Sequence, residues 1–373
     1  MNDRPTSPTP DPRPPTPVEG SRPLAFLMAG GGTGGHVIPA LAVARELRAR
    51  GHRPFFIGTT RGIESKLVPA EGFELRTIDI GGLNRVGAAQ KIATLARLPF
   101  VTLGCMKDAG EAAAVFSMGG YVAGPPVMAA LLRRKPVVVM EPNAMPGFTN
   151  RVIARFVSRA LISFSATNRF FPAGRTEVTG LPVRAEFFQI PSKAPGGVLN
   201  LLVTGGSQGS RTLNRAARES WPLFRSAKFP VRIIHQTGAQ GFEEIRDEFA
   251  QSGLDGEVVP FIRDMPAAFA TADLVICRSG AGTVSELAAA GKPSILVPFP
   301  FAADDHQTRN AEVMEREGAA KLIPDAEFRG PKLVAAVREA ADHLPALGAN
   351  ARRLAKPGAA QRAAEILEEV AQR

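Results

Sequence analysis

Twice in this chain a short apolar run opens onto a glycine loop and then a helix, and each copy begins one half of the sequence. The first run is 24–28, followed by Ala29-Gly30-Gly31-Gly32-Thr33-Gly34-Gly35-His36 and a helical pattern over 37–50. The second is 199–203, followed by Thr204-Gly205-Gly206-Ser207-Gln208-Gly209-Ser210 and a helix from Arg211. An apolar strand without alternation is buried on both faces, as in a parallel sheet. A small-residue loop at a helix start exposes free N–H groups at the positive end of the helix dipole, which suits phosphate or hydroxyl ligands. The repeat predicts two doubly wound α/β domains facing each other. A chain of 373 residues is long enough for two such cores.

A third unit lies at 274–300. Residues 274–277 form an apolar run, Ser279-Gly280-Ala281-Gly282 a turn with little side chain, 283–290 a helix ended by Gly291, and 294–297 the next strand. Glu286 has two readings there. Thr283 and Glu286 have the spacing of a capping box. A carboxylate at that place could also accept both hydroxyls of a ribose, as the acidic residue of a dinucleotide fold does.

Further strands are expected at 55–58, 75–80, 113–118, 136–140, 160–163, 231–235 and 257–260. A glycine loop, Gly119-Gly120-Tyr121-Val122-Ala123-Gly124-Pro125, follows 113–118, and Glu141-Pro142-Asn143 follows 136–140. Both lie at carboxyl ends of strands, where open α/β sheets bind ligands. Arg151, Arg155 and Arg159 recur every fourth residue, as on a solvated helix face. Turn-rich 191–197 marks the region of the domain boundary. The division expected is a tail at 1–22, domains at 23–184 and 185–350, and a terminal helix at 351–373 that packs back on the first domain.

The net charge of +10 and pI near 10.2 favour an anionic partner: nucleic acid, an acidic bilayer or a phosphorylated substrate. One Trp and one Tyr argue against base-stacking platforms, so nucleic acid is the least favoured. Cys105 and Cys277 make no disulfide framework or metal pattern, which fits a reducing compartment. The tail 1–22 is rich in Pro, Thr and Ser and lacks the apolar centre of a signal peptide, so a cytoplasmic protein is expected. No apolar run reaches the ~18 residues of a spanning helix. Between Asp79 and Asp108 there is no acid, while Arg85, Lys91, Arg97 and Lys107 occur and Ile92, Leu95 and Leu98 fall at helical spacing. That pattern fits a core-facing amphipathic helix or a basic, apolar face resting on an anionic bilayer. Asp304-Asp305-His306-Gln307 reads as a loop and helix start, and no second ligand cluster completes a metal site there.

In order along the chain, Gly-Gly-Thr-Gly-Gly-His at 31–36, Met-Gly-Gly-Tyr-Val-Ala-Gly-Pro at 118–125, Gly-Gly-Ser-Gln-Gly-Ser at 205–210 and Arg-Ser-Gly-Ala-Gly-Thr-Val-Ser-Glu at 278–286 resemble the loops of the MurG family of peptidoglycan glycosyltransferases. The resemblance runs from about residue 24 to the C-terminus. It implies the GT-B fold: two Rossmann-like domains with a cleft between them. It implies inverting transfer of N-acetylglucosamine from UDP-N-acetylglucosamine to the 4-hydroxyl of the muramic acid of lipid I, giving lipid II and UDP.

By that resemblance the donor lies mainly on the C-terminal half. The Ser207 loop would hold the diphosphate, Arg184 would lie against the nucleotide-sugar, and Ile262 would meet uracil through backbone groups. Ala281, Gly282, Thr283, Val284, Ser285 and Glu286 would line ribose and phosphate, with Glu286 taking the ribose hydroxyls, and Gln307 would bond the sugar. From the first half, Thr33, Gly34, Gly35 and Asn143 would close over the sugar, while Gly119, Gly120 and Tyr121 would form an acceptor loop. Pro142 stands where the family usually carries Gln, so the placing of Asn143 requires the loop to keep its path without one N–H.

The resemblance further implies a peripheral enzyme on the cytoplasmic face of the plasma (inner) membrane, serving cell-wall growth, shape and division. Its partners would be lipid I, an anionic membrane surface and cell-wall synthesis proteins, with no nucleic acid. His36, whose ordinary pKa is about 6.5, suits the general base, with Glu141 the second candidate. No cofactor is required, since two loops at helix starts and Arg184 can stabilise the leaving diphosphate. A divalent cation is compatible with this reading but not indicated.

Rival readings are another GT-B enzyme of UDP-sugars, such as a glycolipid glycosyltransferase or a UDP-N-acetylglucosamine 2-epimerase, and a nucleotide-sugar binding module without turnover. A dinucleotide oxidoreductase would need a glycine fingerprint whose spacing 31–35 lacks.

Overall fold

The computed structural model describes residues 22–81, 87–193 and 196–372. The first sheet has seven strands: β1 Ala25–Gly30, β2 Arg53–Gly58, β3 Glu74–Thr77, β4 Ala114–Gly119, β5 Val137–Glu141, β6 Arg159–Ile162 and β7 Thr176–Val178. Their order is β3-β2-β1-β4-β5-β6-β7. The second has six: β8 Leu199–Thr204, β9 Val231–Gln236, β10 Asp255–Val259, β11 Leu274–Cys277, β12 Ser294–Leu296 and β13 Ala320–Leu322, in the order β10-β9-β8-β11-β12-β13. Every pairing is parallel.

Strand order reverses beside the first strand of each half. β1 pairs with β2 on one side and β4 on the other, and β8 pairs with β9 and β11. In a doubly wound sheet this switch point opens a crevice at the carboxyl ends of the strands. The loops after β1, β4, β8 and β11 are the four glycine loops singled out in the sequence, so topology gathers them in pairs at two crevices.

The apolar runs are buried because helices cover both faces of each sheet. Phe26 and Met28 join Val37, Leu41 and Leu47 of helix Gly34–Ala49 in one core. Leu27 and Ala29, one residue out of phase, join Cys105, Val127 and Ala130 in another. The second sheet repeats the division. Leu201, Val203 and Ile276 pack with Trp221 and Phe224, while Leu202, Val275 and Cys277 pack with Leu287 and Met314.

Several expectations are corrected. Arg151 lies in helix Phe148–Ile153, Arg155 in the single turn Ala154–Phe156, and Arg159 in β6, so the three arginines share no helix face. β7 and β13, three residues each, were too short to stand out from their loops. The C-terminal stretch makes two helices, Leu344–Arg353 and Ala359–Ala371, because Pro357 and Gly358 (φ +78°) interrupt it. The earlier helix packs on helix Ala281–Ala290 of the second domain. The later one crosses to the first domain, where Ile366 and Leu367 are buried with Val37 and Leu41. Glu368 there meets His52 Nε2 at 2.9 Å and Arg50 at 3.2 Å.

In the acid-free segment, Arg85 lies outside the described residues, as do the side chains of Lys91, Ile92 and Leu95. The backbone there forms helix Ala88–Gly104. Arg97 is exposed and Leu98 partly buried. Among the described residues no helix is long and apolar enough to cross a membrane.

Candidate active site in the cleft

The loop after β1 is held from below by a carboxylate. Glu64, 0% exposed, belongs to helix Glu64–Ala70. It accepts from Gly32 N at 2.8 Å, Thr59 N at 2.9 Å and Thr59 Oγ1 at 2.8 Å. Burial pushes its pKa up, but the amides of Gly32 and Thr59 outweigh that and hold it below the ordinary value. A Cβ on Gly31 would stand 2.6 Å from Glu64 Oε1, so a side chain there would push the carboxylate off its donors. Thr33 then caps helix Gly34–Ala49 in extended conformation, without a side-chain bond.

His36 sits on the first turn of that helix. Its Nδ1 lies 3.4 Å from both Gly31 O and Thr33 Oγ1. Gly120 (φ +80°) faces the ring, and a Cβ there would come within 3.2 Å of Nδ1. Tyr121 packs in turn on Gly32, so the loops after β1 and β4 interlock around the imidazole. Burial lowers the His36 pKa, the Gly31 carbonyl opposes this, and His306 of the facing domain lowers it further. The imidazole is therefore neutral at neutral pH, the state a proton acceptor needs.

Glu141 closes β5 and is 2% exposed. Its Oε1 accepts from Asn143 N at 3.0 Å and Asn143 Nδ2 at 3.2 Å. Its Oε2 accepts from Gly147 N at 3.0 Å and Asn150 Nδ2 at 2.9 Å. Burial raises its pKa against these donors. With both oxygens occupied, the carboxylate fixes the loop 141–147 across Pro142. Asn143 Oδ1 accepts from Asn310 Nδ2 of the second domain at 3.1 Å, which puts Asn143 at the domain boundary.

On the opposite side, Ser207 and Gln208 are exposed at the tip of the loop after β8. Gly209 lets that loop touch the one after β9, since a Cβ on Gly209 would lie 1.8 Å from Thr237 O. Ser210 caps helix Arg211–Ser226 by accepting from Leu213 N at 3.3 Å. Arg278 ties three loops together: it donates to Ser210 Oγ at 2.7 Å, to Val297 O and Pro298 O at 3.0 Å each, and to Asp325.

Helix Ala281–Ala290 starts at Gly280, with no side-chain cap. Glu286 therefore falls in its second turn, and the capping box with Thr283 does not form. The carboxylate is partly buried and makes no described hydrogen bond or ion pair. Burial pushes its pKa up to about 7, with the charge of Arg184 opposing. Arg184 is exposed and stacks on Phe187 at 5.1 Å. Ala281, Gly282, Thr283 and Ser285 are partly buried, while Val284 packs into the core and leaves only its backbone for a ligand. Ile262 N donates to Gln236 Oε1 at 2.7 Å, so of its two backbone groups only the carbonyl remains for a base. Gln307 Oε1 accepts from Phe299 N at 2.9 Å, and its backbone carbonyl accepts from Ser279 Oγ at 2.8 Å. Its Nε2 is the arm left for a sugar.

Glu64, Arg278 and Asn310 were not singled out in the sequence, apart from Arg278 opening a motif. Among the described residues no group of three or more His, Cys, Asp or Glu is placed to hold a metal ion. A separate cavity of about 370 Å³, lined by Arg151, Arg155, Arg169 and Phe170, shares none of the loop residues named above.

Comparison with known proteins agrees with this layout. Residues 26–162 match the glycosyltransferase family 28 N-terminal domain, and residues 200–370 match its C-terminal domain. The chain is 73% identical over 347 residues to the UDP-N-acetylglucosamine–N-acetylmuramyl-(pentapeptide) pyrophosphoryl-undecaprenol N-acetylglucosamine transferase of Solibacter usitatus, covering 93% of this chain and 96% of that one. It is 45% identical over 359 residues to the enzyme of the same name from Azotobacter vinelandii, covering 92% and 98%. The crystal structure of Acinetobacter baumannii MurG superposes with a TM-score of 0.79 at 34% identity, over 93% of this chain and 100% of that one. The calicheamicin glycosyltransferase, at 18% identity and a TM-score of 0.67 over 95% of this chain and 99% of that one, shares the fold alone. Matched along both halves by family 28 and by MurG in sequence and structure, this chain belongs to the MurG family, with its two-domain GT-B fold.

Proposed function

We propose that this chain transfers N-acetylglucosamine from UDP-N-acetylglucosamine to the 4-hydroxyl of the N-acetylmuramyl unit of lipid I, with inversion, releasing UDP and forming lipid II. The observation that carries the site assignment is the pairing across the cleft. A neutral His36 stands at one switch point, and at the other Glu286, which has no hydrogen-bond partner among the described residues.

In this reading Glu286 accepts the ribose hydroxyls, the exposed Ser207 loop holds the diphosphate, and the Ile262 carbonyl faces the base. Gln307 and Asn143 contact the sugar, with Thr33, Gly34 and Gly35 closing over it and Gly119, Gly120 and Tyr121 bordering the acceptor. His36 takes the proton as the acceptor oxygen attacks the sugar carbon. The bond to the diphosphate breaks on the opposite face, and one such displacement inverts the centre. The leaving charge meets N–H groups at two helix starts and the Arg184 guanidinium, so the reaction needs no metal. Glu141 is a positioning residue for the loop that carries Asn143, since its oxygens already serve that loop.

The acceptor's lipid chain requires work at a bilayer surface, and we assign that contact to the cytoplasmic leaflet and the first domain. Phe100 (75% exposed) and Leu103 (64%) project from helix Ala88–Gly104. That helix packs beside helix Gly124–Leu132, where Met128 and Leu132 are also exposed. With Arg97 nearby in sequence, the face supports docking onto anionic lipid.

The test is UDP release by purified protein given UDP-N-acetylglucosamine with and without lipid I. Release that depends on lipid I supports the transferase. Equal release without acceptor indicates hydrolysis of the donor, conversion of the donor to its C2 epimer without net UDP release a 2-epimerase, and donor binding with neither a binding module.

A further inference from the structure

We propose that Asn310 is a positioning residue that couples closure of the two domains to occupation of the donor-sugar site. The inference rests on the transferase reading. Asn310 lies on helix His306–Arg316 and is 0% exposed. Its Oδ1 accepts from Ala144 N at 2.9 Å. Its Nδ2 donates to Asn143 Oδ1 at 3.1 Å and to Ser279 O at 3.1 Å. Asn143 and Ala144 belong to the loop after β5 in the first domain, and Ser279 to the loop after β11 in the second. One carboxamide thus joins both domains at a buried point.

The chemistry of the bridge is specific. It needs one acceptor and two donors on a flat group, which Asp, Leu or Ser cannot supply. A buried donor or acceptor left without its partner is costly, so the closed arrangement depends on this side chain. Another link between the domains, Arg151 to Asp304 at 2.9 Å, is a third exposed and correspondingly screened. The bridge also ends on the residues assigned to the sugar. Asn143 is bonded directly, and Gln307 through its carbonyl to Ser279 Oγ. Of the residues assigned to the nucleotide, Ser207 and Ile262 lie in the second domain off this bridge. The stretch 281–286 beside Ser279, which carries Glu286, keeps a second anchor within that domain, Ser279 Oγ to Gln307 O. Loss of Asn310 should therefore spare UDP and affect the sugar.

The experiment compares the parent, Asn310→Ala and the isosteric Asn310→Asp. It measures binding of UDP and of UDP-N-acetylglucosamine, steady-state kinetics, and small-angle X-ray scattering with and without donor. Expected are UDP affinity within twofold of the parent and UDP-N-acetylglucosamine affinity at least tenfold weaker. The value of kcat should also fall at least tenfold, and donor-induced contraction of the scattering profile should be lost. Donor affinity and kcat within twofold of the parent would overturn the inference. A fall in UDP affinity in step with the donor would overturn it too, since Asn310 would then support the second domain alone. Failure of both variants to fold would make it a folding residue and likewise overturn it. A parent that releases no UDP with lipid I refutes the transferase reading instead, while donor binding and scattering still report on the bridge.

Discussion

Donor binding should tighten as pH rises through neutrality, and Glu286 should be the cause. Its carboxyl is held protonated up to about 7 by burial, with only Arg184 opposing. Ribose hydroxyls donate to the ionised form. If only that form binds well, apparent affinity follows the ionised fraction, about one-eleventh at pH 6 and ten-elevenths at pH 8. UDP-N-acetylglucosamine should therefore bind roughly tenfold more tightly at pH 8 than at pH 6, releasing about half a proton at pH 7. Its diphosphate is a diester and does not titrate in that window. Burial holds the His36 pKa below its ordinary value.

The same group has a stability signature. In the folded protein its pKa is raised from 4.5 to about 7, so the folded state holds the extra proton between those values. Stability then falls as pH rises through that window, by up to about 3 kcal/mol. Glu286→Gln should be more stable than the parent at pH 8 and no less stable at pH 4.5. It should bind donor at least tenfold more weakly at pH 8, as expected when a charged acceptor worth about 1.5–3 kcal/mol is lost. Calorimetric titration at several pH values with buffers of different ionisation enthalpy reads both slope and proton count. A flat profile in the parent, or the same slope in the Gln variant, would refute the reasoning.

Replacing His36 with Ala should lower kcat by about 10²–10⁴-fold while donor affinity stays within a few-fold, since a base acts on the acceptor hydroxyl. The acidic limb of the parent's kcat profile should fall below pH ~6.5. Steady-state kinetics decide it, and a variant within a few-fold of the parent removes His36 from the role. Glu64→Ala leaves the amides of Gly32 and Thr59 without their acceptor. Thermal unfolding should show a loss of about 1–3 kcal/mol or more, with activity lowered through the displaced loop after β1. Phe100→Glu combined with Leu103→Glu should weaken co-sedimentation with anionic vesicles and spare activity on a soluble short-chain acceptor. Changing Arg85, Lys91 and Arg97 together to Glu should do the same, and salt should weaken the parent's binding. Parent-like sedimentation of both variants would move the membrane contact elsewhere.

What was legible in the sequence was local. An apolar run such as 274–277 marks a strand by itself, and a cluster of glycines marks the backbone that must stay bare. So the strands other than the three-residue β7 and β13 are legible, with the four loops, and the repeat places them in two domains. The connections between loops were not legible, because each joins residues far apart in the chain. Nothing around Glu64 shows that its carboxylate lies under Gly32. Asn310, inside an ordinary polar helix, gives no sign that it reaches Ala144 in the other domain. Spacing also misled where an element began or stopped out of phase. Helix Ala281–Ala290 starts at Gly280, so Thr283 and Glu286 have the distance of a capping box without its position. The arginine stripe fails because the chain leaves the helix at Ala154 and enters β6 at Arg159.

The return of helix Ala359–Ala371 to the first domain has a consequence for synthesis. Ile366 and Leu367 fill the core around Val37 and Leu41, yet they are made after the whole second domain. The second domain can complete its own sheet on the ribosome while the first, though translated earlier, still lacks part of its interior. Until that helix emerges, apolar surface of the first domain stays open to water, chaperones and other chains. A nascent chain truncated at residue 355 and carried clear of the ribosome by a flexible C-terminal linker should therefore have a protease-sensitive first domain and a resistant second one, with the order of birth and the order of completion reversed.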